Sequence, residues 1–275
     1  TAAIDGAEVR VPEGSTLLEA CRAQGIEVPT LCALETLTPV NVCRVCVVEV
    51  ERSRVLVPAC SRLVEDGMVV HTNSDRVRHS RRMVLELLAS SVDLSYASAD
   101  VHRWIDEYGV DAGRYGPDAA TVAQPVKVDN DLYVRDYSRC ILCYKCVQAC
   151  GTDAQNTFAI AVAGRGFHAR IAVEYDAPLT DSACVYCGNC IGVCPTGALM
   201  PTSEHQLRQS GDWRPHDQHV TRTICSFCGV GCNLDLHVQD NTIVKVTSPL
   251  DHTVTHGHLC IKGRFAYQHV QNFDE

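Results

Sequence analysis

Two copies of one cysteine pattern dominate the sequence and limit what it can fold around. The stretches SRCILCYKCVQAC and SACVYCGNCIGVCPTGA both read C-x2-C-x2-C-x3-C, and the second copy lies 44 residues after the first. Cysteines spaced this closely on a loop suit the corners of a 4Fe-4S cube. Zinc is the alternative, but the triple spacing does not suit a tetrahedral ion. The pattern therefore predicts two 4Fe-4S clusters.

The predicted ligands of these clusters cross between the two copies. In the bacterial two-cluster arrangement, three close cysteines hold three corners of one cube, and the fourth cysteine of the run serves the other cube. One cluster is therefore expected on Cys140, Cys143, Cys146 and Cys194. The other is expected on Cys150, Cys184, Cys187 and Cys190. Between the copies, TFAIAVAGRGFHARIAVEY predicts a hairpin across Gly164 to Gly166.

Four cysteines nearer the start of the chain are spaced for a smaller cluster. VPTLCALETLTPVNVCRVCVVEV and LVPAC give the spacing C-x10-C-x2-C-x13-C. Four thiolates suit a 2Fe-2S cluster, and Asn41 tolerates the left-handed backbone that such a loop often uses. We expect this cluster on Cys32, Cys43, Cys46 and Cys60. Structural zinc is the alternative, although zinc sites usually pair two short C-x2-4-C units. Cys21 is expected to be a small buried hydrophobic residue.

The last cysteine group predicts a third 4Fe-4S cluster. CSFCGVGC and HLCIKGRF give the spacing C-x2-C-x3-C-x27-C, on Cys225, Cys228, Cys232 and Cys260. NLDLHVQDNTIVKV, with a turn at Asp240-Asn241, predicts a small β scaffold beside it. Lys262 places a cation two residues after the last ligand, where it would raise the cluster's potential; an ordinary surface lysine is the alternative. Three histidines of the preceding polar loop are not expected to be ligands: His252, His256 and His258.

The remaining sequence predicts scaffolding. A hairpin is expected around Asp5-Gly6, and Ser15 or Thr16, together with Glu19, can cap a short helix.

The stretch RVRHSRRMVLELLASS predicts an amphipathic packing helix after possible caps at residues 73 to 75. Its apolar positions at helical spacing are Val77, Val84, Leu87 and Leu88. The twin arginines Arg81 and Arg82 are expected on its solvated side. A short helix around Trp104 and then a linker should follow.

Cysteine usage and charge restrict the compartment and the partners. The 17 cysteines fall in tight groups separated by cysteine-free stretches, which is typical of metal sites and not of disulfide scaffolds. No stretch reaches the roughly 18 apolar residues of a membrane span, and TAAIDGAEVRVPEG has no signal-type apolar run. We therefore expect a cytoplasmic protein without a membrane partner. The formal charge of -9 disfavours nucleic acid as a partner.

Taken together, these motifs resemble the N-terminal iron-sulfur part of the α subunit of NAD-dependent molybdenum or tungsten formate dehydrogenases. PTLC, CRVC, VPAC, RDYSRCILCYKC and CVYCGNCIGVCPTGAL are also similar to the large iron-sulfur subunit of respiratory complex I and to iron-only hydrogenases. CSFCGVGC and CIKGRF are similar to the 4Fe-4S domain of enzymes that carry a bis-pterin molybdenum or tungsten cofactor. The resemblance implies that Lys262 lies between cluster and pterin.

The resemblance implies an α+β fold in four parts. These are a β-grasp 2Fe-2S ferredoxin domain at 1–75, a helical linker at 76–135, a bacterial two-cluster 4Fe-4S ferredoxin domain at 136–205, and a small β-rich 4Fe-4S domain of the molybdopterin oxidoreductase type at 220–275. It also implies a catalytic Mo/W-pterin subunit or domain and flavin- and NAD-binding iron-sulfur subunits, with FMN and NAD, as partners. Electrons from formate would pass through three 4Fe-4S clusters and one 2Fe-2S cluster to the flavin. An iron-sulfur module of a hydrogenase or of an electron-bifurcating transhydrogenase is the alternative.

The sequence departs from the formate dehydrogenase pattern in two places. Relatives carry a cluster on one histidine and three cysteines after the LELL helix, whereas LELLASSVDLSYASADVHRW contains no cysteine, so that cluster is not expected. The sequence stops at FAYQHVQNFDE, where the pterin-binding domains of the family would begin. This chain alone is therefore not expected to oxidise formate.

Overall fold

The computed structural model describes residues 1–271 and consists of two compact units of mixed helix and sheet. The first unit contains Thr1–Leu34 and Pro39–Val122. The second contains Glu35–Thr38 and the chain from Ala123 onward. Among the helices within residues 1–271, none combines the length and the apolar character needed to cross a membrane.

The first unit is built on a five-stranded mixed sheet. Its strands are β1 (Ala2–Ile4), β2 (Ala7–Val9), β3 (Val47–Val50), β4 (Val57–Pro58) and β5 (Met68–His71). They lie in the order β2-β1-β5-β3-β4, with β1 parallel to β5 and the other neighbours antiparallel. The predicted hairpin between β1 and β2 is confirmed, because Asp5 and Gly6 take φ values of 47° and 85°, as a tight two-residue turn requires.

A short helix, α1 (Leu17–Ala23), packs into the core of this unit. Thr16 caps it: the Thr16 hydroxyl accepts from the Glu19 N–H at 3.2 Å, and the Glu19 carboxylate accepts from the Thr16 N–H at 2.7 Å. The predicted capping box is therefore confirmed. Cys21 lies in the core as predicted, and burial raises the pKa of its thiol to about 11. The fully buried aliphatic side chains around it, each contributing about 1.5–3 kcal/mol, include Ile4, Leu17, Val48 and Val70.

Two further helices complete the first unit, α2 (Asp75–Ser91) and α3 (Ala99–Glu107). The hydroxyl of Ser74 caps α2 by accepting from the Val77 N–H, and α3 contains Trp104 as predicted. The predicted packing face of α2 is only partly right. Leu87 is 50% exposed, and the buried residues of α2 are Val77, Arg81, Leu85 and Glu86. Apolar spacing missed this face because half of its buried side chains are charged.

The prediction that Arg81 is solvated is wrong. Its side chain is 2% exposed, and its guanidinium donates to the Tyr108 hydroxyl at 2.8 Å and to the Val47 carbonyl at 2.9 Å. These two bonds replace part of the hydrogen bonding that water would provide, although the buried Arg81 Nε has no partner within residues 1–271. The Tyr108 ring adds a cation–π contact. The side chain of Arg82 is 41% exposed, so Arg82 lies on the more solvent-exposed side of α2. The partners of Arg81 are distant in sequence, so local pattern could not reveal its burial.

Up to residue 271, the second unit contains three small antiparallel sheets and four short α-helices. The sheets pair β6 (Tyr133–Arg135) with β9 (Leu199–Pro201), β7 (Ala161–Ala163) with β8 (Arg170–Ala172), and β11 (Asn233–Gln239) with both β10 (His219–Ile224) and β12 (Thr242–Thr247). The helices are α4 (Lys145–Cys150), α5 (Asn189–Gly192), α6 (Thr202–Ser210) and α7 (Ile261–Phe265).

Two hairpins of this unit form at the predicted turns. β7 and β8 are joined across Gly164 to Gly166, and Gly164 has φ 76°. β11 and β12 are joined at Asp240 and Asn241, which take φ values of 51° and 59°. The sequence does not predict the pair β6–β9, because each strand has only three residues. This pair connects the two ends of the segment that carries the cysteine repeat.

Candidate iron-sulfur centres

In the first unit, four thiols contact one another. Cys32 lies in the loop after α1, Cys43 and Cys46 precede β3, and Cys60 follows β4. Hydrogen bonds from the Cys43 and Cys60 thiols lower the pKa of Cys32, and the same bonds raise the pKa values of Cys43 and Cys60. A further hydrogen bond from Cys60 lowers the pKa of Cys46. The structure thus brings all four predicted ligands of the 2Fe-2S cluster together.

The backbone around these thiols is shaped to support anionic sulfur. Asn41 has φ 62°, so its predicted left-handed conformation is confirmed, and Arg44 has φ 57°. Backbone N–H groups of Val42 and Cys43 bond to the Cys32 sulfur and lower its pKa further. The four donors brought together here are all cysteine sulfurs, and N–H groups facing ligand sulfur stabilise the charge of a cluster. These residues fit a 2Fe-2S cluster.

In the second unit, the repeat cysteines line two separate cavities. The first cavity is lined by Cys140, Cys143, Cys146 and Cys194. The second is lined by Cys150, Cys184, Cys187 and Cys190. Each cavity takes three cysteines from one copy of the repeat and the fourth from the other copy. Apolar and aromatic side chains fill the remaining walls, among them Tyr137, Ile171 and Leu199 in the first and Tyr133, Ile160 and Leu179 in the second.

The repeat in sequence is also a repeat in backbone geometry. Leu142 and Tyr186, at equivalent positions, have φ values of 51° and 56°, and each donates its N–H at 3.4 Å to the sulfur of the cysteine two residues earlier. Tyr144 and Gly188, also equivalent, both have φ 68°. The left-handed residues turn each loop so that its amides face inward, which gives each cavity the same support for cluster sulfur.

The thiols of both cavities are held where their charged forms are disfavoured. Burial, and then the neighbouring thiolates of Cys143 and Cys194, raise the pKa of Cys146. Burial and three neighbouring thiolates likewise raise the pKa of Cys190. Several thiolates buried together are stable only when a bound cationic group compensates their charge. The residues present therefore fit two 4Fe-4S clusters.

The last cysteine group lies at the edge of the sheet β10-β11-β12. Cys225 follows β10, Cys232 precedes β11, and the Cys225 N–H donates to the Cys232 carbonyl at 2.8 Å. Burial raises the pKa of Cys232, and so do the thiolates of Cys225, Cys260 and Cys228. Cys228, Cys232 and Cys260 line a cavity of about 700 Å³. The four predicted ligands are therefore together, and two of them, Cys228 and Cys260, are exposed.

Lys262 lies on α7, two residues after Cys260, and its side chain is exposed. Of the three histidines in the preceding loop, His256 and His258 line the same cavity as the cysteines, whereas the His252 ring accepts from the Val254 N–H within the loop. Neither ring nitrogen of His258 has a hydrogen-bond partner within residues 1–271. That these histidines are not ligands stays a prediction.

The sequence patterns did not predict one candidate functional residue, Arg264. Arg264 is buried, and its guanidinium contacts the loop between Cys187 and Cys190. The available signal was helical spacing, since Arg264 lies four residues after Cys260 and its N–H bonds to the Cys260 carbonyl. Spacing alone could not show which loop the side chain reaches.

Within residues 1–271, no three His, Cys, Asp or Glu side chains are arranged as ligands of one ion. The thiolates of a 4Fe-4S cluster bind different irons, so they need not converge on one point.

Three protein-family models match separate parts of the chain. Residues 1–75 match the 2Fe-2S iron-sulfur cluster binding domain, and residues 131–200 match the ferredoxin-like domain of NADH-quinone oxidoreductase subunit 3. Residues 218–272 match the molybdopterin oxidoreductase Fe4S4 domain. The matches agree with the expected domain types.

Several relatives align with 98% of this chain. The NADPH-Fe(3+) oxidoreductase subunit alpha of Geobacter sulfurreducens is 34% identical, an NADH-quinone oxidoreductase subunit of Rhizobium meliloti is 32% identical, and a formate dehydrogenase-like protein of Staphylococcus haemolyticus is 26% identical. The chain spans 31% of the length of each. Among solved structures, an NAD+-reducing [NiFe]-hydrogenase chain is similar, with a TM-score of 0.65 and 26% identity over 73% of this chain and 86% of that one.

Proposed function

Because the chain carries the 2Fe-2S and 4Fe-4S domains of subunits from NADH-quinone oxidoreductases and NAD-reducing hydrogenases, we propose that it is an iron-sulfur electron-transfer part of an NAD(P)-linked oxidoreductase complex. The observation that supports this most strongly is the grouping of sixteen cysteines into four separate sets of four. Four separate sets of four thiols supply the ligands that one 2Fe-2S and three 4Fe-4S clusters need.

The proposed ligand assignment follows the four sets. The Cys32 set holds one 2Fe-2S cluster within a β-grasp domain at 1–75, which the mixed sheet around α1 supports. A helical linker at 76–135 follows this domain. The domain at 136–205 then holds two 4Fe-4S clusters with crossed ligands, and the domain at 220–275 holds the third. When bound, each cluster accepts and releases one electron. The protein supplies thiolate ligands, inward-facing amides and apolar walls that exclude water.

At the level of substrate, we propose the iron-sulfur chain of a formate dehydrogenase with a bis-pterin molybdenum or tungsten site. The support is the molybdopterin-type Fe4S4 domain in the same chain as the ferredoxin-like domain of NADH-quinone oxidoreductase subunit 3. We propose that Lys262, which is exposed two residues after Cys260, faces this pterin cofactor. The proposed partners are a Mo/W-pterin subunit or domain and flavin- and NAD-binding iron-sulfur subunits. A cytoplasmic location suits these 17 cysteines, none of which forms a disulfide within residues 1–271.

The alternative is an iron-sulfur module of a hydrogenase or of an electron-bifurcating transhydrogenase. The specific observation in its favour is the similarity to an NAD+-reducing [NiFe]-hydrogenase structure. It leaves unexplained why residues 218–272 match a domain of molybdopterin oxidoreductases.

Metal analysis of the intact complex, together with substrate assays, separates these functions. The formate proposal expects molybdenum or tungsten together with iron, and formate-dependent reduction of NAD or NADP. Nickel or iron alone, with hydrogen-dependent reduction, would support the hydrogenase instead. Molybdenum or tungsten without formate-dependent activity would support the electron-transfer function but contradict formate as the substrate. A colourless protein that binds zinc would overturn both.

A further inference from the structure

Arg264 is a buried cation placed against one of the two repeat sites and not the other. Its side chain is 2% exposed. The Arg264 Nε donates to the Cys187 carbonyl at 3.0 Å, and its Nη2 donates to the Asn189 side-chain oxygen at 3.2 Å. Both bonds are to the loop between two predicted ligands, Cys187 and Cys190.

The fit of this side chain depends on two glycines. A Cβ on Gly188 would lie 2.3 Å from the Arg264 Cδ, and a Cβ on Gly192 would lie 3.2 Å from its Nη2. In the first copy of the repeat, the position of Gly188 is occupied by Tyr144, which has the same φ of 68°. The left-handed backbone therefore does not require glycine at this position. The close approach of the Arg264 side chain is what requires glycine there.

The charge of Arg264 is not balanced by a carboxylate. Among residues 1–271, no Asp or Glu forms an ion pair with it, and the charged groups that act on it favourably are the thiolates of Cys187, Cys190 and Cys260. An arginine guanidinium is not deprotonated in proteins, so Arg264 is a cation at neutral pH. A buried cation without a carboxylate needs another anionic partner, and a cluster with four thiolate ligands is anionic.

Asn189 connects this cation to the last cysteine group. Its side-chain oxygen accepts from Arg264 and also from the buried N–H of Leu259, at 2.9 Å. Leu259 immediately precedes Cys260, and Asn189 lines the cavity that contains Cys228, Cys232 and Cys260. The equivalent of Asn189 in the first copy is Lys145, on α4. The two repeat sites therefore differ in the residue at this position and in what lies beside it.

We propose that Arg264 is a positioning residue that raises the reduction potential of the cluster held by Cys150, Cys184, Cys187 and Cys190. This rests on the proposed function, because it needs that cluster to be present. A positive charge close to a cluster favours the reduced form, which carries one more negative charge. The hydrogen bonds from Arg264 to the ligand loop fix the distance between the guanidinium charge and the cluster. The cluster beside the last cysteine group is thereby made a better electron acceptor than it would be without Arg264.

The test is a redox titration of the intact complex followed by EPR, with each signal assigned by its loss in a cysteine-to-serine variant. In Arg264→Gln, the ratio of reduced to oxidised cluster at this site should fall at least tenfold at a fixed applied potential, a shift of about 59 mV to lower potential for one electron. Arg264→Lys should retain most of the ratio. Arg222→Gln, which removes an exposed arginine of β10 paired with Asp235, is the matched control and should leave the ratio unchanged.

A second variant keeps the side chain of Arg264 in place. Asn189→Asp preserves the oxygen that accepts from Arg264 and Leu259 and adds a negative charge, so it should lower the same ratio. If Arg264→Gln and Asn189→Asp both keep the signal at an unchanged potential, the proposal is wrong. If both variants lose the EPR signal of this cluster and keep the others, Arg264 has a purely structural role, and the proposal is overturned as well. Absence of every cluster signal in the unmodified complex would refute the proposed function itself.

Discussion

Gly188 is the position at which one added methyl group should be most informative. Gly188→Ala has two separable effects. A residue other than glycine in the left-handed region costs about 1–2 kcal/mol. The new Cβ would also lie 2.3 Å from the Arg264 Cδ and 2.9 Å from the Phe265 Cζ, both buried, and overpacking of a tight interior costs about 1–3 kcal/mol.

Gly211→Ala is the matched control, because Gly211 has φ 79° in the same unit but no atom of residues 1–271 within 4 Å of its would-be Cβ. The free-energy cost of a left-handed alanine is then common to both variants. The difference between their melting temperatures therefore reports the clash alone. At about 2–4 °C per kcal/mol for a unit of this size, Gly188→Ala should melt about 2–12 °C below Gly211→Ala. The assay is loss of cluster absorbance on heating at one fixed scan rate, since cluster loss makes the transition irreversible.

The same pair of glycine variants can be measured with Arg264 shortened. In an Arg264→Ala background, the extra effect of Gly188→Ala should fall toward that of Gly211→Ala, because the nearest clashing atom is gone. Equal melting of Gly188→Ala and Gly211→Ala with Arg264 intact would refute the reasoning, since it would mean that Arg264 does not occupy the space above Gly188.

Three further predictions test the sites and the scaffold. Cys194→Ser should abolish the EPR signal of the Cys140 cavity and spare the other repeat site, and Cys150→Ser should do the reverse; loss from the opposite site would refute crossed ligands. Lys262→Ala should slow formate-driven cluster reduction by about tenfold, or about 1.4 kcal/mol of barrier, at unchanged iron content; an unchanged rate would exclude a bridging role. Arg81→Met should destabilise the first unit by about 2–6 kcal/mol in urea unfolding, because the Tyr108 hydroxyl and a buried carbonyl lose their donor at about 1–3 kcal/mol each; a change below that range would contradict it.

Features set by neighbouring residues could be predicted from the sequence. Thr16 and Glu19 form a capping box because the two groups lie one helical turn apart. Asp240 and Asn241 form a turn because both residue types tolerate positive φ. The close cysteines of each set could be predicted for the same reason, since a loop that wraps a cluster brings neighbouring ligands to it at short spacing.

Features set by distant contacts could not be predicted. Arg81 is buried because it reaches Val47 and Tyr108, which lie on other elements. Arg264 is buried because Gly188 leaves room for it, and the sequence gives no sign that the two meet. In both cases a charged side chain lies inside the protein, where hydrophobic periodicity predicts none.

The iron and acid-labile sulfide content of the anaerobically prepared chain tests the central claim most directly. Four cysteine sets that hold one 2Fe-2S and three 4Fe-4S clusters predict about fourteen irons and about fourteen sulfides per chain in a brown protein. Stoichiometric zinc without sulfide, in a folded and colourless protein, would contradict the account.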